Sequence, residues 1–282
     1  MHAFHRLYQQ RKSISTKAYK SRGWKVKRCD FCRLAEQYCI CQLRKQSNSR
    51  CSFLLLMSDD EVLKPSNTGR LIADIIPDTH AFIWHRTEVD EKLLSVIEDD
   101  KYQPFLVFPS EYAGERPRVF KQQPDVIDHN KIPLFILIDA TWRQAKRIFR
   151  KSEYLAQLPI VSIESVITES VLAESAIECA NPVNNSAEQV NTEQVNEKQH
   201  ATVLNYDSKY QLRKAEKPGQ LGTAEVAAKV LQLFGENESA KLLDLWFDVF
   251  SFRYQQAVKQ TNKANPRAVE NYQQYVSERK LK

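Results

Sequence analysis

Glycine is scarce in this chain. Its 282 residues include six, and these form neither a G-x-x-x-x-G-K-[ST] loop nor a G-x-G-x-x-G turn. The phosphate cradles of P-loop enzymes and of ordinary dinucleotide-binding dehydrogenases are therefore missing. Histidine is scarce too. The six histidines make no H-E-x-x-H pattern, so nothing suggests a catalytic metal. No apolar run approaches the ~20 residues that a membrane span needs. The opening Met1-His2-Ala3-Phe4-His5-Arg6 has no apolar h-region, so no secretory signal is expected and a cytoplasmic location is.

What is present is an ordinary globular balance with uneven charge. Hydrophobic residues make up 42% and charged residues 27%, with a net charge of +6. Residues 1–50 hold 13 Lys/Arg against two acids, Asp30 and Glu36, a net +11. Residues 161–200 hold seven Glu against one Lys, a net −6. A polyanion such as RNA would be drawn to the first stretch and repelled by the second. A solvated basic tail is the plainer alternative, which the adjoining cysteine cluster makes the lesser one.

Four of the six cysteines sit within thirteen residues, as Cys29-x2-Cys32-x6-Cys39-x-Cys41. That spacing suits one tetrahedral, structural Zn2+ site held entirely by protein thiolates. An iron–sulfur cluster is the alternative, and disulfides fit a reducing compartment poorly. The flanking Arg28, Arg33, Arg44 and Lys45 are then candidates for RNA phosphates. Residues 1–28 read as a basic flexible arm and 29–50 as a four-cysteine zinc knuckle.

From Cys51 the chain alternates strands and helices. Strands are predicted at 51–58, 80–85, 104–109, 133–139 and 159–163, with helices at 68–76, 91–98 and 142–151. The fold class is α/β with a mainly parallel sheet. Residues 166–206 are rich in Asn, Gln, Ser and Glu, and predict a disordered acidic insertion. Helices resume at Thr223 and from about Ser239 to Lys259. The α/β domain is expected over 51–260, followed by a polar, mobile tail at 261–282 in which residues 272–280 can form a short helix.

Three segments carry candidate chemistry. Asp139 ends the most apolar strand, where open α/β sheets gather ligands. Thr141 opens the next helix with Gln144 three residues on, a capping box. Asp139 thus has two readings, reactive carboxylate or local cap, and Thr141 can be only a cap. Trp142 is either core or a stacking surface for a base, beside the basic Arg143, Lys146, Arg147, Arg150 and Lys151. The second segment, Lys64-Pro65-Ser66-Asn67-Thr68-Gly69-Arg70, leads into a helix whose amides favour an anion. The third, Gly219-Gln220-Leu221-Gly222-Thr223-Ala224-Glu225, does the same, with simple capping as its plain reading.

These segments together resemble the DTW-domain family, the tRNA-uridine aminocarboxypropyltransferases, and its bacterial branch most. The resemblance is carried by the four cysteines, Lys64 to Leu71, Asp139-Ala140-Thr141-Trp142, Tyr210-Gln211-Leu212-Arg213 and Thr223-Ala224-Glu225, in that order. It implies S-adenosylmethionine as donor, tRNA as partner, and a uridine of the variable loop as acceptor. It also implies a SPOUT-like fold with a knotted carboxyl half. Asp139, Thr141 and Trp142 are then the catalytic candidates. Ser66, Asn67, Thr68, Gly69, Arg70, Thr223, Ala224 and Glu225 become the donor-binding candidates. The 166–206 insertion departs from the family in length and acidity. The rival readings are a SPOUT-like RNA methyltransferase and a non-catalytic zinc-knuckle RNA-binding protein.

Overall fold

A computed structural model describes residues 1–17, 19–20, 23–113, 119–122, 124, 127–164, 221–258 and 261–279. Six parallel strands are described: β1 (Ser52–Met57), β2 (Thr79–Ile83), β3 (Tyr102–Val107), β4 (Val119–Phe120), β5 (Ile132–Asp139) and β6 (Ile160–Val161). They lie in the order β2-β1-β5-β3-β6-β4. The eight described helices are α1 (Ala3–Ser13), α2 (Asp59–Leu63), α3 (Gly69–Ile75), α4 (Glu91–Ile97), α5 (Trp142–Lys151), α6 (Thr223–Leu233), α7 (Asn237–Val258) and α8 (Ala268–Arg279).

The central strands are apolar on both faces because helices cover both, as parallel sheets require. Side chains alternate across β1 and β5. Phe53, Leu55, Met57, Phe135 and Leu137 face one core with residues of α3, α6 and α7. Leu54, Leu56, Leu134 and Ile136 face the other, with Leu93 of α4 and Ala145, Ile148 and Phe149 of α5. The expected α/β fold with a parallel sheet is what the structure has. No helix among the described residues is long and apolar enough to cross a membrane.

The two ends of the chain depart from expectation. The expected flexible arm contains α1, whose Phe4 and His5 are 2% and 3% exposed. His2 Nε2 lies 3.2 Å from Asp74 Oδ1 of α3, and the His5 ring stacks on Phe31 at 4.6 Å. Burial of Phe4, the His5–Phe31 stack and the His2–Asp74 contact hold a helix that is otherwise polar. In the expected mobile tail the helix allowed at 272–280 is present and longer, as α8, with Tyr272 1% exposed and packed on Trp246 at 5.2 Å. The 166–206 insertion and the Tyr210–Arg213 motif lie outside the described residues. So do residues 165–220 as a whole, the stretch on whose path the expected knot depends.

Candidate functional site

Asp139 is the last residue of β5, and its neighbour in register on β1 is Met57. The β1 chain leaves through Ser58, whose N–H donates to Asp139 O at 3.2 Å. The carboxylate thus stands at the carboxyl edge of the central strands, where three helix starts meet. It is 3% exposed. Asn67 Nδ2 donates to its Oδ2 at 2.7 Å, and Thr223 Oγ1 donates to its Oδ1 at 2.7 Å. These two donors among the described residues, one on each oxygen, hold the plane of the carboxylate.

Asn67 is fully buried and uses both ends of its amide. Its Oδ1 accepts from Arg70 N–H at 3.0 Å, tying the first turn of α3 to Asp139. Its Nδ2 also lies 3.4 Å from Glu61 Oε1. Glu61 is 1% exposed and is held by Lys64 Nζ at 2.7 Å. Two buried carboxylates therefore flank one amide, and Lys64 pairs with Glu61. Nothing in the sequence pattern marked Glu61; its only local signal is the i,i+3 relation to Lys64. Gly69 packs directly on Asp139, and a Cβ there would fall inside the van der Waals envelope of Oδ2. This is the close approach for which only glycine serves.

The remaining candidates divide. Thr223 reaches Asp139 from the start of α6. Glu225 is 5% exposed and accepts from Gly222 N–H at 2.7 Å, capping that helix, while Ala224 is fully buried. Ser66 is half-buried and Thr68 buried in the turn before α3. Arg70 is 2% exposed with its guanidinium 4.7 Å from the Phe250 ring centroid. Its Nε and Nη2 are buried without a hydrogen-bond partner among the described residues. An unsatisfied buried guanidinium costs free energy, and a bound carboxylate would answer it.

Thr141 is exposed and committed to the capping box of α5, with N–H and Oγ1 both donating to Gln144 Oε1, at 3.1 and 2.7 Å. Trp142 joins an aromatic wall. It stacks on Phe108 at 5.7 Å, which stacks on Phe149 at 4.3 Å, and Tyr112 meets Trp142 edge-on at 5.5 Å. Trp142 is half-buried, so the stack leaves part of the indole uncovered.

The cysteine cluster is built by two short turns. Arg28 bridges Ala35 in antiparallel fashion, Arg33 N–H donates to Cys29 O, and Cys29 N–H to Leu34 O, both at 2.9 Å. Arg33 adopts φ 61°, the left-handed corner that closes this turn. The four sulfurs lie within 4.8 Å of one another. Three of their separations are 3.7, 3.7 and 3.6 Å. A Zn–S bond of about 2.3 Å gives a tetrahedron with edges of about 3.8 Å, whereas a disulfide needs about 2.05 Å. The cluster can bind a metal ion and is compatible with structural zinc. The hydrogen bond between Cys41 and Cys32 lowers the Cys32 thiol to about 5 and raises that of Cys41.

One expected phosphate ligand is corrected. Arg33 is 7% exposed, donates to Val62 O and Leu63 O at 3.2 and 2.6 Å, and covers the Tyr8 ring at 3.7 Å. It ties the knuckle to the end of α2 rather than reaching outward, because those carbonyls have no partner within so short a helix. Arg44 pairs with Asp74 at 3.6 Å.

No solved structure matches the chain. The DTW domain family model matches residues 26–255, which span the cysteine cluster, the Asn67 turn, Asp139 and Thr223. That family is the tRNA aminocarboxypropyltransferase family and supports a tRNA-modifying role. The match covers most of the chain, and the chain belongs to the DTW-domain family.

Proposed function

We propose that the protein transfers the 3-amino-3-carboxypropyl group of S-adenosylmethionine to N3 of a tRNA uridine, in the variable loop, within the cytoplasm. The observation that carries this reading is the Asp139 carboxylate, buried and fixed by Asn67 and Thr223. A reaction that only exchanges one bond to carbon for another needs a placed proton acceptor and a placed donor more than any further chemistry.

In the proposed step N3 forms a bond to the methionine-chain carbon on sulfur. The C–S bond breaks, its electron pair stays on sulfur, and methylthioadenosine leaves. Asp139 accepts or orients the N3 proton, its two donors keeping the carboxylate in one plane. Trp142, backed by Phe108 and Phe149, offers a face for the uracil. Ser66 to Arg70 take the donor carboxylate, for which the uncommitted Nε and Nη2 of Arg70 are suited. Thr223, Ala224 and Glu225 complete the donor pocket, with Glu225 toward the ammonium. Thr141 keeps the capping role that its bonds describe. A zinc ion held by Cys29, Cys32, Cys39 and Cys41 would cross-link the knuckle and take no part in the reaction.

The test is incubation with unmodified tRNA and labelled S-adenosylmethionine, followed by mass analysis of the nucleosides. An aminocarboxypropyl uridine with release of methylthioadenosine is expected. A methylated nucleoside with S-adenosylhomocysteine would replace this reading with methyl transfer, and RNA binding without donor turnover would remove catalysis altogether. Asp139→Asn is expected to abolish transfer while tRNA binding persists. Near-normal turnover in that variant would end the proton-acceptor assignment.

A further inference from the structure

A concave feature with no part in the chemistry above lies between α1 and the knuckle. It is a groove of about 400 Å3, within the range of ligand-sized cavities. One wall is Tyr8 and Lys12 from α1, another is Lys17, Tyr19 and Trp24 from the segment that follows, and Arg28 and Arg33 close it from the knuckle. Four of its lining residues are cationic and none is acidic. Lys20 and Lys25 add two further cations, 5.4 and 5.8 Å from the Trp24 ring centroid.

Two details point to a ligand. Trp24 is 57% exposed and Tyr19 38%. Trp24 stands beside Gly23, whose φ of 76° and carbonyl bond from Val26 N–H at 3.1 Å make the turn that presents it. The second detail is Arg28. Its Nη1 donates to Arg33 O at 3.1 Å, but Nη2 is buried with no hydrogen-bond partner among the described residues. The two lysines account for a solvated indole. They do not account for a guanidinium donor held without an acceptor at the edge of an open groove.

We propose that this groove binds unpaired nucleotides of the RNA substrate, as a docking site separate from the uridine that reacts. Flat aromatic faces interleaved with cations match a strand that alternates bases and phosphates. An acidic peptide would use the cations and leave Trp24 and Tyr19 idle. The groove is also joined to the reaction site: Leu63 and Pro65 line it, and Pro65 is two residues, at most ~7 Å of extended chain, from the Asn67 that holds Asp139. Arg33, which bonds Val62 O and Leu63 O, fixes the groove to that same turn. A strand seated in the groove thus borders the turn that holds Asp139. The proposal rests on tRNA being the substrate.

The test uses the full-length protein and a labelled, unmodified tRNA transcript, with affinity read by fluorescence anisotropy across a salt series and transfer read separately at saturating tRNA. Trp24→Ala is expected to weaken binding about tenfold and Trp24→Phe to keep most of the affinity. The double variant Lys12→Ala with Lys17→Ala is expected to reduce the slope of log K against log salt by about 2, one per phosphate contact. These side chains are exposed, so melting temperature should hold, and transfer at saturating tRNA should stay near that of the parent. Affinity and salt slope unchanged in both the Trp24→Ala and the double-lysine protein would overturn the groove. So would displacement of the tRNA by oligoglutamate of equal charge, which would assign the groove to an acidic protein partner. If the parent binds tRNA in this way but transfers nothing, the catalytic reading fails while the groove stands.

Discussion

At the scale of single residues, the site depends on two small choices. Asn67 bonds both Asp139 and the first turn of α3. Asn67→Ala would leave a buried carboxylate and a helix amide each short of one bond. The expected loss is about 2–3 kcal/mol of stability, read as a lower denaturation midpoint, with transfer falling further than binding because the carboxylate loses its orientation. Gly69→Ala is expected to do more damage to turnover than to folding. Its Cβ cannot coexist with Asp139 Oδ2, so the carboxylate must rotate off its two donors. A Gly69→Ala protein with parental turnover would show that the plane of Asp139 does not matter. Much of this was readable from sequence: Asp139, Asn67, Gly69 and Thr223 stood in motifs at strand ends and helix starts. Glu61 and the inward turn of Arg33 were not, because burial and a left-handed φ are set by tertiary packing and leave no periodic trace.

At the scale of elements, α1 is the informative case. Its sequence, basic and with few apolar residues, carries no strong amphipathic period, so a flexible arm was the natural reading. The helix is held instead by particular contacts: Phe4 in the core, His5 on Phe31, and His2 on Asp74. Those contacts make its docking pH-dependent. Burial, with repulsion from His2, lowers the His5 pKa. A histidine depressed in the folded state stabilises docking above its unfolded value of about 6.5, and that contribution is lost as pH falls through the folded value. For Asp74, burial pushes the carboxyl up, but the hydrogen bond and charge of His2, then Arg70 and Trp246, outweigh it and the net shift is downward. Its contribution is present above the unfolded value of about 3.9 and lost below it. Both act in one direction. Protection factors of residues 3–13, taken against the intrinsic exchange rate at each pH, are expected to fall as pH drops below about 6.5 and again below about 4, while β1 and β5 remain protected. Asp74→Asn should loosen α1 already at neutral pH, and equal protection in that variant would show that Phe4 alone suffices.

At the scale of the whole molecule, the knuckle and the α/β domain share one core. Cys32, Leu34 and Ile40 belong to the same buried cluster as Phe53, Phe135 and Trp246. The sequence suggested a separate 29–50 unit because the cysteine spacing is local, whereas the packing that joins it to the domain is not. Removing the metal should therefore weaken the entire fold. One metal ion per chain is expected by elemental analysis. A strong chelator, or Cys32→Ser, is expected to lower the melting temperature of a single transition by several degrees or more. Two separate transitions, with the later one unmoved, would show that the knuckle folds on its own. Iron with visible absorbance in place of colourless zinc would reassign the cluster.

The strand order has a consequence for how the chain is made. β5 lies between β1 and β3, yet it is synthesised after both. Until residues 132–139 leave the ribosome, β1, every residue of which is buried in the finished protein, has one unpaired edge, and β3 has no strand beside it to join it to the β1–β2 pair. A nascent chain in that interval presents apolar strand edges of the kind on which aggregation starts. Arrested chains ending before residue 132 should be cleaved readily by protease and held by chaperones, and β5 is the segment whose arrival joins β3 to the β1–β2 pair and sets Asp139 against Asn67, before β6 and Thr223 are added.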